Sequence, residues 1–342
     1  MARKKRIGIL TAGGDCPGLN AAIRGIGKTA IVEYGMEVIG IKEGYTGLLE
    51  KEYEKLSAQQ LSGILTLGGT VLGTSRMKPF KGNNSHIDKP AQIKENYDEL
   101  GLDCLVCIGG NGTMKTAHKL SEEGLNVIGI PKTIDNDVWG TDLTFGFDSA
   151  VTIATEAIDR LHTTANSHQR VMLIEVMGHD AGWIALYAGI AGGGDVILLP
   201  ELGYDINVIC EKINQRYEEK KPYSIIVVAE GIKTNGSDSA AHNIAKQLDK
   251  KIEAETRCTV LGYIQRGGTP TAMDRVLATQ YGAFAAECIA NENYNQMVAF
   301  RKNQLKCIPL EEVGGKLKLV NKDHILIDKG HKMGVSFGVD IK

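Results

Sequence analysis

Apolar residues fall along this chain in short runs closed by glycine. Between the runs lie longer stretches with apolar positions three and four apart. The runs are rich in Val and Ile without strict polar alternation, the pattern of strands covered on both faces. They predict strands over 6–10, 37–41, 104–108, 127–130, 171–176, 196–199, 225–229 and 259–261. The stretches between predict helices over 19–34, 114–123, 148–167, 183–191, 206–220, 239–255 and 274–290. Such alternation predicts α/β domains with mainly parallel sheets covered by helices, and ligands where strand ends meet helix starts. The best seam between two domains lies at 144–148.

Composition adds mostly exclusions. The 342 residues suffice for two ordinary domains, and 43% apolar with 23% charged residues fits a globular protein. A formal net charge of −2 gives no overall field for nucleic acid or an anionic membrane. The apolar run after the basic residues 3–6 is too short for a secretory leader, and 183–194 is too short for a bilayer span, so a cytoplasmic location is expected. Seven cysteines show no framework spacing. Cys104 and Cys107 form a C-x-x-C inside a predicted strand, where positions three apart face opposite ways, so they read as reduced core residues.

The chemistry concentrates in the first 140 residues. One glycine loop, Thr11-Ala-Gly-Gly-Asp-Cys-Pro-Gly-Leu-Asn20, follows a predicted strand, and a second, Gly109-Gly-Asn-Gly-Thr113, follows another. Neither is a P-loop or a dinucleotide fingerprint. One such Gly-Gly is an ordinary tight turn, but two in successive strand-to-helix positions point to backbone N–H groups that grip phosphate. Lys132-Thr-Ile-Asp-Asn-Asp137 offers paired carboxylates. If extended, it faces Thr133, Asp135 and Asp137 one way, which suits proton abstraction from a sugar hydroxyl and an outer-sphere hold on Mg²⁺. An Asx-turn loop is the competing reading. Arg76, Arg170, Arg257 and Arg266 sit beside small or polar residues, as phosphate-binding guanidiniums do and as solvated surface charges also do. His179 and Asp180 lie between a predicted strand and helix.

The ordered motifs in 10–20, Gly44-Tyr45, Gly69-Thr70 to Arg76, Ile108–Thr113, Pro131–Asp137, Ser167-His-Gln-Arg170, Glu175-Val-Met-Gly178 and Leu261-Gly-Tyr-Ile-Gln-Arg-Gly-Gly268 resemble the 6-phosphofructokinases, from near residue 6 to about 290. The resemblance implies two Rossmann-like domains with the active site in the cleft between them. One is a phosphoryl-donor domain, 1–146 with about 265–305. The other binds fructose 6-phosphate and covers 147–264 with about 306–342. It implies transfer of the γ-phosphoryl group of ATP to O1 of fructose 6-phosphate, in glycolysis, with Mg²⁺. Asp135 is then the base, with Thr133, Asp137, Lys132 and Gly14 as its catalytic company. Gly14, Tyr45, Arg76, Met77, Lys81, Gly110, Asn111, Gly112 and Thr113 line the donor side. Thr133, Asp135, Arg170, Met177, Gly178, His179, Glu230, Arg257, Tyr263 and Arg266 line the sugar-phosphate side, and Asn111 and Asp137 stand nearest the metal. Arg170 and Arg257 reach in from a neighbouring subunit, which implies a homotetramer or homodimer. An effector nucleotide between subunits would meet Arg24, Lys28, His162, Asp195 and Lys221.

Two donor markers disagree. Gly112 is ATP-type, because it leaves room for the nucleotide's α-phosphate, where a carboxylate would repel it. Lys132 is pyrophosphate-type, which keeps a pyrophosphate-dependent enzyme as the alternative. Sterics outweigh the lysine, since a missing side chain permits ATP and a lysine does not forbid it. A degenerate nucleotide-binding regulatory subunit is a third reading. Two departures from the family pattern matter. Asn111 replaces a usual acidic residue and weakens metal hold. His179 replaces a usual arginine and leaves a charge shortfall at the migrating phosphoryl group.

Overall fold

The computed structural model describes residues 3–80, 89–234 and 238–340, in two compact units. Unit 1 holds Met1–Thr133, Asp137–Asp148 and Arg266–Leu317; unit 2 holds Ile134–Asn136, Ser149–Gln265 and Lys318–Lys342. The chain therefore returns to unit 2 after Leu317 and not near 305. The described strands are β1 (Arg6–Thr11), β2 (Glu37–Ile41), β3 (Tyr53–Leu56), β4 (Cys104–Gly109), β5 (Val127–Pro131), β6 (Val171–Val176), β7 (Val196–Leu198), β8 (Ser224–Ala229), β9 (Thr256–Val260), β10 (Gln296–Arg301) and β11 (Gln304–Pro309).

In unit 1 the order is β11-β10-β5-β4-β1-β2-β3. The central strands pair in parallel, and only the outer strands β3 and β11 run antiparallel. Every residue of β4 is buried, as a strand sandwiched between helix layers must be. Cys104 and Cys107 are free and fully covered; burial lifts both thiols, Cys107 to about 12, so neither is a thiolate at neutral pH. The helices Leu19–Val32 and Ala272–Ala290 pack backbone to backbone. A Cβ on Gly25 would lie 2.7 Å from the Thr279 carbonyl oxygen, and one on Gly282 would lie 2.5 Å from that of Ala22.

In unit 2 the order is β7-β8-β6-β9, all parallel. The last strand begins at Thr256, three residues before the predicted run, because its first residues pair Val171–Leu173 along β6. The helix expected over 239–255 ends at Leu248. Beyond it Ile252 and Ala254, two residues apart, pack on the core as the chain turns into β9. The predicted strands over 37–41 and 171–176 and the helix over 183–191 have those bounds in the structure.

Candidate active site

In unit 1 the two glycine loops converge. The first leaves β1 with Gly13 at φ +85° and enters the helix Leu19–Val32 through Gly18 at φ +105°, both left-handed positions that favour glycine. The second leaves β4 and starts the helix Asn111–Glu122 at once, so the N–H groups after Gly110 stand at a helix N-terminus. A Cβ on Gly13 would lie 4.0 Å from both the Lys132 ammonium and the Thr113 hydroxyl. Lys132 is buried and donates to the carbonyls of Ala12 and Gly14. The stretch before Arg76 lines the first loop: Gly13 N–H donates to Ser75 O at 3.0 Å and Thr74 Oγ1 to Gly13 O at 2.8 Å.

Within this arrangement Gly112 is open. A Cβ there would meet nothing within 4 Å, and its φ is not left-handed, so the residue is not required for backbone reasons. Asn111 donates from Nδ2 to Asp137 Oδ2 at 2.7 Å, while its own Oδ1 is buried with no hydrogen-bond partner. That leaves an amide oxygen and a carboxylate side by side. No cluster of three or more His, Cys, Asp or Glu suited to a metal occurs among the described residues. Mg²⁺ does not need such a cage, because it keeps waters and takes substrate phosphates with one or two carboxylates. The donor set fits it.

The acidic segment is a turn rather than an extended strand. Lys132–Asp137 is wholly buried, Ile134 and Asp135 lie in a turn, and Asn136 is left-handed at φ +51°. The expected strict alternation of Thr133, Asp135 and Asp137 on one face therefore does not hold. Thr144 Oγ1 braces the segment by donating to Thr133 O at 2.7 Å.

Tyr45 is buried beneath the second loop, with its hydroxyl at 3.5 Å from Thr113 O and its ionisation pushed well above the usual tyrosine range by burial. Arg76 is exposed, Met77 packs on the unit 1 core, and Lys81 lies outside the described residues. Arg266, expected on the sugar side, lies on the first loop: its Nη1 donates to Asp15 O at 3.3 Å, and a Cβ on Gly14 would come within 3.0 Å of it.

In unit 2 the loop after β6 is held by two side chains. Gln265 Oε1 accepts from Met177 N–H at 2.8 Å, and Glu230 Oε1 accepts from Gly178 and His179 N–H at 3.2 and 2.8 Å. His179 is left-handed and pairs with Asp180 at 3.1 Å, both exposed. Tyr263 is 73% exposed. Arg170 and Arg257 stand elsewhere. Both pair with Glu255 at the starts of β6 and β9, while Met177–His179 and Glu230 follow the ends of β6 and β8. A six-residue strand puts roughly 17 Å between those ends. One chain thus gathers the two arginines with each other but not with the rest of the expected sugar-phosphate set. Of the expected effector residues, His162 is tied to Gly192 O and Tyr223 OH, and Asp195 to Arg216 at 2.7 Å.

Residues 6–289 match the phosphofructokinase family. The chain belongs to it. Within this family it is 61% identical to ATP-dependent 6-phosphofructokinase 3 of Bacteroides thetaiotaomicron, over 97% of this chain and 100% of that protein. It is 54% identical to ATP-dependent 6-phosphofructokinase of Spirochaeta thermophila, over 98% of each. Among solved structures, the phosphofructokinase of Saccharomyces cerevisiae superposes with a TM-score of 0.82 at 33% identity, over 90% of this chain and 45% of that one. A pyrophosphate-dependent phosphofructokinase from Marinobacter aquaeolei reaches 0.84 at 22% identity, over 97% of this chain and 92% of that one, which shows the shared fold. The glycine loops, the buried lysine and the acidic turn all follow strand ends, those of β1, β4 and β5. Sequence reasoning did not single out Gln265, Glu255 or Lys318. Gln265 lies inside the 261–268 motif, between Tyr263 and Arg266, whereas Glu255 and Lys318 lie in no motif.

Proposed function

We propose that this chain is an ATP-dependent 6-phosphofructokinase. O1 of fructose 6-phosphate attacks the γ-phosphorus of ATP; the new O1–P bond forms as the bond to the β,γ-bridging oxygen breaks, and ADP leaves. Asp135 takes the O1 proton. The backbone N–H groups of Gly110–Thr113 and the Lys132 ammonium face the donor phosphates. Asn111 and Asp137 would hold Mg²⁺, which supplies charge neutralisation on the phosphates. The protein's own work is positioning and charge placement, as in phosphoryl transfer generally. The single observation that carries the choice of donor is the open position at Gly112, at the start of the Asn111–Glu122 helix. The names of the two relatives at 61% and 54% identity agree with it.

The separation of Arg170 and Arg257 from Met177–His179 and Glu230 supports a site completed by a second copy of the chain. The proposal is a homo-oligomer in which each fructose 6-phosphate meets these arginines from a neighbour. A side-by-side assay tests the function. The purified chain with fructose 6-phosphate and Mg²⁺ should form fructose 1,6-bisphosphate with ATP and run at least about tenfold slower with pyrophosphate. Turnover with pyrophosphate alone would contradict the proposal.

A further inference from the structure

Residues 318–320 are fixed by several contacts inside unit 2. The Trp183 indole N–H donates to Lys318 O at 2.8 Å, and the Lys318 ammonium stands 5.4 Å from the centroid of the same ring. Glu201 accepts from Gly182 N–H at 3.0 Å and from Val320 N–H at 2.9 Å, so it ties residue 320 to the start of the helix Trp183–Ala191. The backbone and the ammonium of Lys318 are thus anchored together. From that base its Nζ donates to Asn136 Oδ1 at 2.9 Å.

Asn136 is the residue between Asp135 and Asp137. It is buried, and its backbone is left-handed, a conformation that persists where the surroundings hold it. Its φ and ψ set the direction of the carboxylate on one side relative to the carboxylate on the other. A bond that pins the Asn136 side chain therefore limits where Asp135 can point.

We propose that Lys318 is a positioning residue for phosphoryl transfer: by pinning Asn136 it keeps the Asp135 carboxylate aligned for the acceptor hydroxyl. This rests on the assignment of Asp135 as base. Lys318 touches neither substrate nor donor in this role, so its loss shows in kcat and not in sugar-phosphate binding.

Lys318→Met keeps an apolar stem over Trp183 and removes the donor. The expected result is a kcat lower by about tenfold, within the range a small misalignment produces, with KM for fructose 6-phosphate within about twofold. Lys318→Arg should recover most of the loss. Asn136→Gly keeps the left-handed backbone without strain and removes the acceptor, so it should give a similar loss, and the double variant should be no worse than either single one. A kcat within about twofold of wild type for Lys318→Met or for Asn136→Gly would overturn the proposal, as would fully additive losses. Asp135→Asn in the same assay separates the two levels. If it is inactive while Lys318→Met is unaffected, only the Lys318 role falls. If it turns over like wild type, the base assignment falls and takes this role with it.

Discussion

Gly112 has space where a side chain could stand and a backbone any residue can adopt. It also lies in the first turn of a helix, where an acidic side chain is favoured by the helix dipole. Gly112→Asp should therefore leave stability unchanged or slightly raised. Its carboxylate would face the nucleotide, and like charges in a desolvated site cost several kcal/mol (order of magnitude). The expected outcome is a KM for ATP higher by about tenfold or more at an unchanged melting temperature; an unaltered KM for ATP would remove the steric argument for the donor. The Lys132 ammonium, read from sequence as a pyrophosphate marker, also donates to the carbonyls of Ala12 and Gly14 and so ties the acidic segment to the first glycine loop. That second duty was not legible, because it depends on a carbonyl more than a hundred residues away. The alternation argument for Thr133, Asp135 and Asp137 failed for a residue-level reason as well. Asn is one of the few residues that accept a left-handed backbone, and Asn136 does so in the middle of the run.

Elements buried on both faces were legible almost to the residue, since β1, β2, β4, β5, β6 and β8 are mostly apolar runs. The strands that escaped notice lie toward the two ends of the unit 1 sheet. β3 is Tyr-Glu-Lys-Leu, and β10 and β11 form a hairpin through Lys302 and Asn303, both left-handed, a type I′ turn without the usual Asn-Gly signal. Parallel pairing of β6 and β9 has a consequence for the site, because it brings Arg170 and Arg257 to one carboxylate, that of Glu255. The hydrogen bond from Arg170 holds Glu255 below the usual glutamate range, with Arg257 adding to it. A lowered carboxylate stabilises the fold above the pKa of unfolded glutamate, and that contribution fades as pH falls through the lower folded value. The pair is exposed, so the effect on stability is small and salt-sensitive. A carbon-detected titration of Glu255 should give a midpoint below that of free glutamate and move toward it in Arg170→Ala. A midpoint that stays put would show that the arginine does not hold the carboxylate.

Across the whole chain, the family motifs are what made the function legible. They span residues 6–289, and relatives at 61% and 54% identity cover nearly the full length. What no single-chain sequence could show is that strand polarity keeps Arg170 and Arg257 about a strand's length from Met177–His179 and Glu230. Among the described residues no helix is long and apolar enough to cross a membrane.

The central claim is that Asp135 from one copy and Arg170 from another serve the same transfer. Mixing two defective chains tests it most directly. Asp135→Asn and Arg170→Ala, each expressed alone, should have turnover lower by roughly a hundredfold or more, the scale of losing a proton acceptor or a charged donor. Co-expressed, they should regain about a quarter of wild-type activity if the sites are shared across a two-fold pair, because one site of each mixed pair is then intact. Failure of the mixture to exceed either parent, or full activity of Asp135→Asn by itself, would contradict the account.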